Sequence, residues 1–531
     1  MSASTAVPTL AALPPVGGSA VFPSSFGALD AALIVVYILV TVGAALLVRR
    51  GVHDMADFVV AGRSLRSSLG VATMIGSELG LVTIMFSAQK GFTGGMAAFH
   101  IPLVAGLTTL LVGLTGFLVV PLRERGVLTI PEFYGQRFGR GVRVVGGVIL
   151  ALAGILNMGL FLKAGSVFVV TVTGMGSPLA VKWVMTVLLV LVLFYVSVGG
   201  MLAVVVTDYI QFVLLSIGLL VACVVALRRF GIDSLVEAVQ QVHGPAGFDP
   251  LHGDGFGLGY VVWMVFTAGL VSCAIWQTAV VRACSAESVE VVRRTYQISS
   301  IGFLARFLVP NFLGVCALAW VVADAGRSAV FLPGGRPADP ETTLAVMPAL
   351  LADLLPTGLL GLVVAGMLAA FMSTHDSYLL CWSSVLTQDV VAPLRRRPMS
   401  EGARLLLSRV LIFVIGVFLL LWSLWYPLQQ DLWDYMAITG AIYFTGAFSL
   451  LFFGLYWRRA STAGAYGSLA CGLVAVLGLG PVGGALGVGL SGEQAGLLAT
   501  GLAIVAMVSL SYLFPDTRSA ADDVRRPEVS P

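Results

Sequence analysis

Apolar runs of roughly twenty residues recur from one end of this chain to the other, separated by short stretches that collect its charges. A run of that length, rising 1.5 Å per residue as a helix, crosses the roughly 30 Å hydrocarbon core of a bilayer. The pattern predicts thirteen spans, at 30–48, 69–88, 95–121, 144–172, 179–198, 207–227, 257–276, 298–324, 356–387, 408–425, 433–456, 464–482 and 493–514. Composition agrees. The chain is 58% hydrophobic and 11% charged, with a mean hydropathy of +0.97. An ordinary soluble globular protein carries about a quarter charged residues and is excluded. The fold class predicted is an all-α polytopic membrane protein.

The net charge of +3 matters less than where the cations lie. With the N-terminus outside, the inner segments hold 22 of the 30 Lys and Arg and the outer segments six, the bias expected of cytoplasmic loops. Residues 1–48 contain neither Lys nor Arg, so they lack the basic region of a cleaved signal peptide. The odd number of spans puts the C-terminus in the cytoplasm, and the protein is expected in the cell inner (plasma) membrane. The six cysteines fall singly in or beside spans and read as small apolar fillers. No soluble domain, nucleic-acid partner or obligate protein partner is expected. The lipid bilayer and a small-molecule solute are.

Ionisable side chains inside spans are costly and point to function. The candidates are Glu78, Lys163, Asp208, Arg306, His375 and Asp376. Glu78 lies between Gly76 and Gly80, a weak point where a helix can unwind and expose carbonyls, as the broken helices of secondary transporters do. The alternative is a Glu paired with Lys163 or Arg306 for structure alone. Arg306, about two turns from the inner end of its span, reads as an interfacial anchor. Lys163 is too deep to reach an interface and is a candidate partner for Glu78 or Asp376.

The run AAFMSTHDSYLLCWSS, residues 369–384, places Ala370, Ser373, Thr374, Ser377, Cys381 and Ser384 in one sector of a helix. Asp376 lies at the edge of that sector and His375 points nearly the opposite way. Hydroxyls and a freed carbonyl suit a hard monovalent cation. Hydroxyls bonding back to their own helix are the alternative, and spacing does not choose between them.

Four stretches carry a resemblance. DFVVAGRSL (57–65), TIPEFYGQRFG (129–139), YVSVGGMLAVVVTDYIQ (195–211) and GLVVAGMLAAFMSTHDSYLLCWSSVLTQDV (361–390) resemble, in order, motifs of the sodium:solute symporters, the family of the proline, sialic acid and sugar Na⁺ symporters. The resemblance implies a LeuT-like core of two inverted five-helix repeats, 69–230 and 256–456. Around it would lie an external segment 1–29, a first helix and inner loop 30–68, an external loop 231–255, two further spans in 457–514 and an inner tail 515–531. It implies a Na⁺ site formed by the carbonyls of Gly76, Leu79 and Ala370 with the hydroxyls of Ser373 and Thr374. Asp208, Asp376 and Ser377 match the second Na⁺ site of some members, with an exit relay or helix capping as alternatives. Trp276 and Gln277 stand where the family has Asn-Gln, and Val281-Arg282 where it has Gln-Arg. Glu78, Lys163, Gly269, Trp276 and Gln277 are the candidates for solute binding or gating.

The function expected is a Na⁺-coupled symporter importing a small polar solute by alternating access, an amino acid or similar zwitterion being favoured. A proton-coupled carrier of the same fold, or a symporter-like sensor with a separate signalling partner, is the alternative. No nucleophile motif, zinc-type His cluster or phosphate-cradling loop suggests an enzyme.

Overall fold

The structure is a computed structural model that describes residues 24–48, 65–175, 178–252, 256–426 and 430–516. Most of the 57–65 motif, most of segment 1–29, most of the tail, and Arg49, Arg50 and Arg63 lie outside the described residues. Among the described residues there is no strand, only a single bridge between Leu65 and Ala286. In lipid every backbone N–H and C=O needs an internal partner, and a helix supplies one within its own segment.

The helices that frame the site are α1 (Ala28–Val48), α2 (Ser67–Glu78), α3 (Leu81–Gly94), α4 (His100–Thr115), α5 (Arg140–Asn157), α6 (Phe161–Thr173) and α7 (Pro178–His243). They continue with α8 (Gly257–Trp263), α9 (Gln277–Ser285), α10 (Val289–Val322), α11 (Leu359–Val385), α12 (Glu401–Trp425), α13 (Leu432–Tyr456) and α14 (Gly492–Leu513). Among the described residues, nine helical stretches are long and apolar enough to cross a membrane, or ten if the pair bent by 96° at Leu479 counts as one. The expected spans 5 and 6 fall within one helical element, α7, whose apolar portions are Leu179–Phe194 and the stretch from Asp208 that runs on past its end to Gly247. The thirteen expected spans therefore do not map one to one onto separate helices.

Burial orders the helices. In α11, 89% of the apolar window is buried, against 28% in α12, so α11 is a central element and α12 faces lipid along most of its surface. The centre is packed from all sides, by α2, α3 and α6 and by α1 and α7. The helix α1 also supplies what the start of α11 lacks. The first N–H groups of any helix have no partner within it. The buried Asp30 carboxylate accepts from the N–H groups of Gly358 at 2.7 Å and Gly361 at 2.6 Å, and from Gly27 in its own approach at 2.8 Å.

Two spans are interrupted. Between α2 and α3 the chain leaves helical geometry at Leu79 (φ −83°, ψ 57°) and Gly80 (φ −78°, ψ 160°). Between α8 and α9 it passes through a π-helical stretch, Met264–Val271, and a short turn, Ser272–Ile275, and then breaks at Trp276 (φ −63°, ψ 120°). The TIPEFYGQRFG motif forms a capped helix, Ile130–Phe138. The Thr129 hydroxyl accepts from Glu132 N–H, and the Glu132 carboxylate accepts from Leu128 N–H at 2.7 Å.

Candidate functional site

The break in the second span opens where the sequence has Gly76, Glu78 and Gly80. The last carbonyls of α2 have no further turn to bond to. That of Glu78 accepts from the Thr83 hydroxyl of α3 at 2.9 Å and from Arg306 of α10 at 3.1 Å. Gly80 lies so close to α11 that a Cβ there would collide with Thr374 Oγ1. Glycine is required at that position by approach, not by an unusual φ.

Against this break, α11 presents its hydroxyls. Ser373 Oγ donates to the Gly76 carbonyl at 3.1 Å and stands 3.4 Å from the Ala370 carbonyl. Thr374 Oγ1 donates to the same Ala370 carbonyl at 3.0 Å. Gly76, Ala370, Ser373 and Thr374 thus come together, all buried, with the buried Leu79 at the turn beside them. The donors are uncharged oxygens, which suit one weakly charged hard cation. Among the described residues no group of three His, Cys, Asp or Glu could hold a metal.

Thr374 also forms part of the wall of a cavity. Glu78 lies on that wall, with Thr278 Oγ1 donating to one carboxylate oxygen at 2.8 Å and Arg306 Nη1 to the other at 3.0 Å. The guanidinium is held over the rings of Phe303 at 4.0 Å and Phe307 at 4.4 Å. Arg306 is therefore no interfacial anchor, because its charge is turned inward to a carboxylate in the middle of the molecule. Gly269 and Trp276 line the cavity too, and Trp276 Nε1 donates to Tyr378 Oη of α11 at 3.1 Å.

The family model described as "Sodium:solute symporter family" matches residues 58–472. The chain belongs to the sodium:solute symporter family. As a member it is a multi-pass membrane transporter, not an enzyme, and Na⁺ is its coupling ion. This symporter is 25% identical over 492 residues to a sodium/glucose cotransporter 4 of Danio rerio, covering 84% of this chain and 71% of the relative. It is 24% identical over 453 residues to a sodium/proline symporter 2 of Staphylococcus saprophyticus subsp. saprophyticus, covering 81% of each. Its fold resembles a substrate-bound, outward-open Na⁺-coupled sialic acid symporter, with a TM-score of 0.76 at 18% identity, covering 93% of this chain and 100% of that one. MhsT, crystallised in complex with L-phenylalanine, has a TM-score of 0.54 at 14% identity, covering 84% of this chain and 97% of that one. The fold is LeuT-like.

Several candidates in this symporter stand elsewhere than the cavity. Lys163 pairs with neither Glu78 nor Asp376. Its Nζ lies 3.3 Å from Glu341 Oε1, in the short helix Pro340–Leu344. Gln277 is fully buried and its Oε1 accepts from Ile130 N–H at 3.1 Å, which ties α9 to the TIPEF helix. His375 is buried against the rings of Phe371 and Phe161, with centroids at 4.0 and 5.7 Å, and bonds the Phe371 carbonyl one turn back. It faces away from the hydroxyl stripe, as helical geometry requires.

Asp208 and Ser377 do meet, through Arg282. The guanidinium reaches Ser377 Oγ at 2.8 Å and Asp208 Oδ2 at 3.4 Å, and Thr73 Oγ1 donates to Asp208 Oδ2 at 2.7 Å. Ser377 Oγ lies 3.2 Å from Asp376 Oδ1. Arg282 counts among the inner-loop cations in the charge pattern, yet it is a buried partner of this cluster. Sequence reasoning missed it, along with Thr278, which holds the Glu78 carboxylate, and Asn157 of the cavity wall. Arg282 carried a signal in its place beside the Trp276 break. Thr278 and Asn157 carried none.

Proposed function

We propose that this protein imports a small organic solute, a zwitterion being favoured, together with Na⁺ by alternating access. The Na⁺ is held by the carbonyls of Gly76, Leu79 and Ala370 and the hydroxyls of Ser373 and Thr374. The solute lies beside Glu78, Gly269 and Trp276. The observation that carries this reading is the 3.1 Å link from Ser373 to the Gly76 carbonyl, next to a threonine that also lines the cavity. A cation there joins the broken second span to α11 and orders one wall of the solute site. Binding of either ligand then favours binding of the other.

The repeats 69–230 and 256–456 are the two bodies that rock, with the N-terminus outside and the C-terminus in the cytoplasm of a cell inner membrane. Lys163 and Gln277 act as supports of that frame and not as solute ligands. At Asp208, Asp376 and Ser377 the positive charge is supplied by Arg282, and a second Na⁺ there requires that guanidinium to withdraw.

Uptake into proteoliposomes under an imposed Na⁺ gradient, against a matched proton gradient, tests the reading. Accumulation driven by Na⁺ alone is expected. Accumulation driven by protons alone would make it a proton-coupled carrier, and no flux of any solute would favour a sensor.

A further inference from the structure

The cavity wall carries more information about the solute than its zwitterion-like charge. Its two full charges, Glu78 and Arg306, face each other and cancel. A lone cation or a lone anion gains from one and is repelled by the other. Both groups keep capacity for a ligand. Each Glu78 carboxylate oxygen accepts one side-chain hydrogen bond of the two it can take. Arg306 Nε is buried and has no partner among the described residues.

Elsewhere the wall is largely ring and methyl. Nine of the lining residues are Phe, Tyr or Trp, among them Phe86, Phe161, Trp276, Tyr378 and Phe444. Three of the hydroxyls that line it have spent their protons. Thr83 donates to the Glu78 carbonyl, Thr108 to Val104 at 2.8 Å and Thr109 to Ala105 at 2.7 Å. The Asn157 amide donates to the Met436 carbonyl and to Thr439. Asn157 Oδ1 and Thr267 Oγ1 are buried without partners among the described residues. A polyol brings many hydroxyls, and each costs free energy if buried unmatched. Against that number the wall sets few unpartnered donors among the described residues: Arg306 Nε, the Trp263 and Trp433 indole N–H groups and the Thr267 hydroxyl. It offers one charge couple, a few scattered donors and acceptors and a broad aromatic surface.

We infer that the transported solute is an α-amino acid with a large apolar or aromatic side chain. Its carboxylate lies toward Arg306, its ammonium toward Glu78, and its side chain against the rings of α6, α11 and α13. The π-helical turn Met264–Val271 belongs to the same wall, consistent with the functional placement of such turns. The inference rests on the symporter reading for the direction and coupling of transport, but not for the identity of the ligand.

The test is a thermal-shift and equilibrium-binding series on the purified full-length protein, with and without Na⁺. The probes are L-leucine, L-phenylalanine, glycine, phenethylamine, 3-phenylpropionate and D-glucose. Leucine or phenylalanine should bind and stabilise. Phenethylamine and 3-phenylpropionate, each lacking one charge, should bind at least about tenfold more weakly, the loss of one charge-assisted hydrogen bond. Glycine should be similarly weak for want of a side chain, and glucose should not bind. In Glu78→Gln the preference for phenylalanine over 3-phenylpropionate should collapse, a change of selectivity that a merely structural Glu78 would not produce. Binding of glucose, equal binding of 3-phenylpropionate and phenylalanine, or binding of neither amino acid overturns the inference. Glucose uptake driven by Na⁺ would do so while leaving the symporter reading intact. Amino acid binding indifferent to Na⁺, with no Na⁺-driven uptake, would leave the ligand class standing and remove the coupling.

Discussion

Two acid–arginine pairs lie inside this membrane protein, built from nearly the same parts. Glu78 meets Arg306 at 3.0 Å with the Thr278 hydroxyl on its other oxygen. Asp208 meets Arg282 at 3.4 Å with the Thr73 hydroxyl beside it. Each therefore combines a carboxylate, a guanidinium and a threonine from three different helical segments. Exposure separates them. Both side chains of the first pair are 11% exposed, onto a cavity, whereas those of the second are 3% and 0% exposed. The first pair opens onto a broad cavity lined by many residues, whereas the second has only a small pocket beside Arg282 and Ser377. An intramembrane charge therefore announces function in general, while the space around it decides whether that function is to bind or to hold.

The largest effect should come from the sealed pair. Asp208→Asn leaves Arg282 buried without its counter-charge, and breaking a buried pair from one side costs about 3–5 kcal/mol. Yield and thermal stability in detergent should fall together, with or without Na⁺. A variant of normal stability but altered Na⁺ response would erase the distinction and make the sealed pair an ion site.

Next in size is Glu78→Gln. Its site opens to the cavity, so the cost should fall on solute binding more than on folding. Losing a hydrogen bond to a charged group costs about 1.5–3 kcal/mol, roughly 10- to 150-fold in affinity. Solute titrations before and after the change measure it, and an equal loss of stability would count against the division of labour. Ser373→Ala combined with Thr374→Ala removes two uncharged oxygen ligands. The Na⁺ concentration for half-maximal uptake should rise by roughly tenfold, with a smaller change in solute affinity at saturating Na⁺. An unchanged Na⁺ response would mean that the cation lies elsewhere. His375→Phe should change least. It replaces one planar ring with another of similar size, a kind of core change that usually costs under about 1.5 kcal/mol. Uptake should stay near that of the unaltered protein.

Much of this was legible from residue order. Long apolar runs declared a polytopic helical protein, and the Gly76–Glu78–Gly80 cluster marked a break that the structure puts at its far end, at Leu79 and Gly80. The hydroxyl stripe and the outlying histidine of α11 follow from 100° per residue. Pairings between distant segments were not legible. Arg306 looked like an anchor because distance along its helix says nothing of which helices surround it. Lys163 is expected beside Glu78 or Asp376, whereas its partner, Glu341, comes from a segment between two later spans. Gln277 is a candidate for solute binding or gating by its place in the motif, and only the fold shows that its side chain meets the amide that opens the TIPEF helix. Periodicity reports the faces of one helix. Partners require the fold.

The Asp30 carboxylate has a consequence for anyone who would trim this protein. It satisfies backbone N–H groups at the entrance of α11 from a helix that lies outside the expected five-plus-five core. A minimal version beginning at the second span would leave those amides bare, at about 1–3 kcal/mol for each buried donor without an acceptor. Shortened transporters of this design should keep Asp30, or carry an acidic or hydroxyl cap introduced near Gly358.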